Sequence, residues 1–154
     1  MSEDRFFGFE ETPVLGQPVQ MATRERALLD ALDRPRYAGG IGEVARIVRK
    51  AATQVSWTRL LRLLRRWGES AVVQRLGYLL ELNGVELPIE TWGRLHKLVS
   101  PHVKVHLGSR CQWGSRGCLD RNWNVIENVP RDVLLEKGEG KRRRVVFEKA
   151  RTKR

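Results

Sequence analysis

The sequence is poor in cysteine, has no long apolar run, and lacks the phosphate-cradling and nucleophile motifs that announce common enzymes. Its two cysteines, Cys111 and Cys118, lie in one glycine-bearing segment. That is too few to staple a secreted mini-protein, so they are read as two reduced thiols. No stretch approaches the ~18 uninterrupted apolar residues of a membrane-spanning helix. The N-terminus, MSEDRFFGFEE, has no basic segment followed by an apolar one and is not a secretory signal. A cytoplasmic location with no membrane partner is expected. Neither a G-x4-G-K-S/T phosphate loop nor a G-x-S-x-G elbow occurs, and no internal repeat is evident.

What is present is a folded chain with an uneven charge. The 154 residues are 41% hydrophobic and 31% charged, enough for one domain with its own core. Net charge is +11. Residues 141–154 hold Lys141, Arg142, Arg143, Arg144, Lys149, Arg151, Lys153 and Arg154 against Glu148 alone, which is +7; the preceding 140 residues carry only +4. The chain therefore reads as a domain over 1–140 followed by a flexible basic tail over 141–154, and such a tail suits a polyanion.

Periodicity predicts mostly helix. Residues 5–22 read as a hairpin, with Phe6, Phe7 and Phe9 clustered and Pro13, Gly16 and Pro18 as punctuation. Thr23 is a candidate N-cap for a helix over 24–33, with Asp30 and Arg34 expected to pair at i,i+4 and Pro35 as the stop. Helices follow over about 41–53, 57–67 (capped by Ser56, ended by Gly68), 69–82 and 88–99. In the third, Leu60, Leu61, Leu64 and Trp67 form the apolar side, while Arg59, Arg62, Arg65 and Arg66 share the opposite face. After Pro101 the period changes to two. Val103, Val105 and Leu107 read as one strand and Trp123 and Val125 as another, pairing antiparallel across a loop, with a short helix near 133–136. The fold class expected is α+β: about five helices packed against a small, mostly antiparallel sheet built from both ends of the body.

Leu107-Gly108-Ser109 followed by Asp120-Arg121-Asn122 has the outline of a nucleotidyltransferase site, but that chemistry needs two carboxylates and the second is Asn122. His96, His102, His106, Cys111 and Cys118 do not have zinc spacing: the cysteines are C-x6-C, and four residues of strand separate His102 from His106 by ~13 Å. No catalytic residue, metal or cofactor is expected. Candidate nucleic-acid contacts are Arg59, Arg62, Arg65 and Arg66 with Lys141, Arg142, Arg143 and Arg144. Trp57, Trp67 and Trp92 read as core anchors rather than base platforms.

Three phrases point to a family. RERALLDALDRPRYAGGIGEVARIV over 24–48, LLRLLRRWGESAVVQRLGYLLEL over 60–82, and GCLDRNWNVIENVP over 117–130 occur in that order. Together they resemble the C-terminal domain of the abortive-infection type IV antitoxins, the AbiEi-like family, over roughly residues 6–130. The resemblance implies an antitoxin of a toxin–antitoxin system in phage defence. Its partner would be a nucleotidyltransferase toxin encoded by a neighbouring gene, countered without a stable complex. Family members also carry an N-terminal winged helix that binds operator DNA; this chain is expected to begin at or after the end of that domain, so operator binding through it does not carry over. The basic tail lies outside the resemblance.

Overall fold

The computed structural model describes residues 7–135. A hairpin opens it, β1 (Phe9–Val14) pairing antiparallel with β2 (Gln17–Ala22) so that Phe9 faces Ala22 and Val14 faces Gln17. The two turn residues, Leu15 and Gly16, both have positive φ, 50° and 78°. Such a turn matches the twist of the flanking strands and is free of strain at Gly16 alone. The hairpin is tied down at its base, where the Thr23 amide and hydroxyl both donate to the Gly8 carbonyl.

Helix α1 (Arg24–Asp33) starts where Thr23 Oγ1 accepts from the Arg26 amide at 3.2 Å, the N-cap that the sequence suggested. It stops before Pro35, which opens a single 3-10 turn over Pro35–Ala38. Helices α2 (Ile41–Ala51) and α3 (Trp57–Trp67) follow, the latter capped by Ser56 and ended by Gly68 in left-handed geometry. Helix α4 (Ser70–Leu82) is apolar on nearly every side, the pattern of a central helix, and it packs against α1 and α2. Helix α5 (Ile89–Lys97) begins after Pro88 rather than at it.

The C-terminal third departs from expectation. There are two separate sheets, not one built from both ends. The second contains β3 (Val105–His106), β4 (Cys118–Asp120) and β5 (Val125–Glu127) in the order β3-β5-β4. Strands β3 and β5 pair parallel, correcting the antiparallel pairing. The reason is β4, which the sequence reading placed in a loop. It forms the hairpin with β5, so the chain reverses twice between β3 and β5 and returns in the original direction. Two four-residue helices complete the described chain, α6 (Arg110–Trp113) and α7 (Arg131–Leu134).

Helix α4 organises this region. Its Gln74, fully buried, donates from Nε2 to the carbonyls of Val103 (2.7 Å) and Asn124 (3.3 Å), gathering the approaches to β3 and β5. Tyr78 Oη donates to Glu127 of β5 at 3.1 Å, and Arg131 also donates to that carboxylate. Gly77 faces the Trp123 ring, which also contacts His96 and Trp92. No helix of the described residues is long and apolar enough to cross a membrane.

Two charged residues of the first helix lie in the interior. Arg26 is 1% exposed. Its guanidinium lies 4.5 Å from the Trp67 ring centre and near those of Phe7 and Phe9, and it donates to the Phe7 carbonyl and to Asp30. Asp30 therefore pairs backwards with Arg26, not forwards with Arg34, whose backbone has left helical geometry. Glu25 is buried too, accepting from the Ser56 amide at 2.7 Å and joining the starts of α1 and α3.

Candidate nucleic-acid interface and a basic cleft

The arginine face lies where the sequence placed it. Along α3, Leu60, Leu61, Leu64 and Trp67 are buried while Arg59, Arg62, Arg65 and Arg66 are exposed. Among the described residues none of the four has a carboxylate in ion-pair contact. Arg66 is steadied by the Phe7 ring, 4.5 Å below its guanidinium. From Arg59 to Arg66 the helix rises ~10 Å, so the four guanidiniums form a row along one face. Lys141, Arg142, Arg143 and Arg144 lie outside the described residues.

A second basic site was not legible in the sequence. Beyond the last turn of α1 a cleft of about 650 Å³ is lined by residues from three separate segments. The end of α1 and the 3-10 turn supply Asp33, Arg34 and Arg36, α4 supplies Arg75, and the stretch from β3 into the start of α6 supplies Lys104, His106, Ser109 and Arg110. Arg34 is 3.9 Å from Asp33. Arg36 is held against its neighbour Tyr37, donating to the phenol oxygen at 2.7 Å. Arg75 donates to the Leu32 carbonyl at 3.0 Å, while its Nε is buried with no hydrogen-bond partner among the described residues. Burial lowers the pKa of this guanidinium below its ordinary value, and Asp33 partly restores it. Asn128 fixes the loop, exchanging hydrogen bonds with the amide and carbonyl of Gly108 and donating to the carbonyl of Gly114. The signal in the sequence was faint: Arg34, Arg36, Arg75, Lys104 and Arg110 are far apart, and only the fold brings them together.

The other candidates fall elsewhere. Asp120 is 1% exposed on β4, and Gly108 and Ser109 follow β3, which β5 separates from β4. His96 packs on Trp123 with ring centres 4.3 Å apart, and the His106 ring meets the Ser115 carbonyl. Cys111 and Cys118 are both exposed and unbridged. Among the described residues no three His, Cys, Asp or Glu side chains are gathered as a metal site requires. Trp67 is buried, and Trp57 and Trp92 pack at the core's edge. A second concavity, about 530 Å³, runs between α1 and α2 over an apolar floor that includes Ala27, Ala31 and Ala51. No family model, curated protein or solved structure matches this chain.

Proposed function

We propose that the protein is an antitoxin domain of the abortive-infection type IV class, acting in the cytoplasm against a nucleotidyltransferase toxin by binding rather than by catalysis. One observation carries this reading. The three phrases that resemble the family are in mutual contact: Arg75 of the second donates to the Leu32 carbonyl of the first, and Gly77 of the second lies against Trp123 of the third. The residues that carry the resemblance are thus the ones that hold one core together, which is what a shared fold demands. Fold alone does not assign activity, so the test is functional. Co-expression with the nucleotidyltransferase encoded beside it should restore growth; a toxin that kills equally with and without the antitoxin refutes the proposal.

A nucleic-acid-binding regulator is the second reading, favoured by the four exposed arginines on α3. Duplex binding through them should weaken with salt at a log–log slope near 0.9 per phosphate contact. Arg59→Glu with Arg62→Glu should lower both affinity and slope in a gel-shift series. Unchanged shifts in that variant exclude the α3 face.

A further inference from the structure

The cleft past α1 is lined by more positive than negative charge. Arg34, Arg36, Arg75, Lys104 and Arg110 line it, and Asp33 is the single carboxylate among the lining residues. Holding like charges together raises the energy of the folded state. Arg75 lines the inner wall of the cleft, with its guanidinium already anchored by donation to the Leu32 carbonyl. Among those residues Lys104 and Arg110 have no carboxylate in ion-pair contact. The cations are also pre-set: Tyr37 holds Arg36, the Leu32 carbonyl holds Arg75, and Asn128 braces the loop that carries Arg110. Pre-set donors lose little freedom when a ligand arrives.

A ligand with several negative charges within a few ångströms answers all of these features together. We infer that the cleft binds a polyphosphate chain, for which ATP serves as the probe, with Arg75 at its inner wall and Arg34, Arg36, Lys104 and Arg110 around it. The volume of about 650 Å³ lies within the ~300–1,000 Å³ of small-ligand sites. A duplex presents its phosphates along a line, which suits the row on α3. Cations converging on one concavity suit the clustered charge of a polyphosphate, and arginine forks match its oxygens. This site is independent of the antitoxin reading and stands or falls separately.

The test is calorimetric titration of the full chain with ATP, AMP and a short 5′-hydroxyl RNA. ATP should bind at least ~10-fold more tightly than AMP, since its two further phosphates add charge-assisted hydrogen bonds. Lys104→Glu with Arg110→Glu, both at exposed positions, should weaken ATP at least ~10-fold. Arg94→Glu with Lys97→Glu, the same charge change on exposed α5 positions, should leave ATP affinity unaltered. Lys104→Gln with Arg110→Gln probes the same contacts with a smaller disturbance and should also weaken ATP. No saturable ATP binding overturns the inference. So does equal weakening by the cleft and α5 variants, which would mean diffuse attraction. RNA binding that exceeds ATP binding and is lost in the cleft variant also overturns it, making the cleft part of a nucleic-acid groove.

Discussion

Gly77→Ala sets two physical effects against each other, and the structure decides between them. In an isolated helix the change is favourable by about 1 kcal/mol, because alanine loses less backbone freedom than glycine. In this protein a Cβ at position 77 would lie 2.2 Å from Cε3 and Cζ3 of Trp123 and 2.4 Å from Cδ2. Carbon atoms normally approach to ~3.5–4.0 Å, so the ring or the helix must yield by more than an ångström. The ring has little room: Trp123 is fully buried, with His96 4.3 Å and Trp92 6.0 Å away between ring centres. Overpacking of this kind costs ~1–3 kcal/mol and at times more, and a rigid ring with its neighbours in place belongs at the upper end. The net expectation is a loss of about 2 kcal/mol or more. In urea unfolding followed by tryptophan fluorescence, that lowers the midpoint by ~1 M at an ordinary m-value. Trp123→Leu is itself destabilising, yet it clears the space that the new methyl group needs. The double variant should therefore be less damaged than the two single losses added together, by ~1 kcal/mol or more. A Gly77→Ala protein as stable as the parent, or additive losses in the double variant, would refute the packing argument.

Other positions carry their own tests. Burial, with Glu127 beside it, raises the Tyr78 phenol well above its ordinary pKa of ~10, so the fold holds it neutral. The stability this gives is complete below about pH 10 and drains away as pH rises beyond it, by up to ~1.4 kcal/mol per unit. Tyr78→Phe should cost ~1.5–3 kcal/mol at pH 8 through the lost bond to Glu127, and the gap from the parent should narrow by pH 11; a constant gap in urea titrations contradicts this. Arg26→Ala removes a buried cation from Phe7, Trp67 and Asp30 and should destabilise by ~3–5 kcal/mol, with Arg26→Met costing less. Equal unfolding midpoints for the two variants would assign the role to the charge and its hydrogen bonds alone, with no part for side-chain volume. Asn128→Ala should cost ~1–3 kcal/mol and loosen the loop over 108–114, seen as faster amide exchange at Gly108; unchanged exchange there would deny it the bracing role.

The sequence by itself determined the helical body, because helix limits are decided by neighbours a few residues apart. Thr23 and Ser56 cap, Pro35 stops and Gly68 turns the chain, and each acts within one helical turn of its own position. The α3 arginine face was legible for the same reason: a 3.6-residue period is local, and one apolar side fixes where the other points. Tertiary structure decided the rest. A three-residue strand such as β4 has too short a pattern to announce itself, and missing it hid the second chain reversal that makes β3 and β5 parallel. Arg26 has no local mark of burial; three aromatic rings from other segments and the Phe7 carbonyl make its interior place tolerable. The basic cleft is the plainest case. Its five cations span positions 34 to 110, and only the folded chain, closed by α4 and the second sheet, turns that scattered charge into one site.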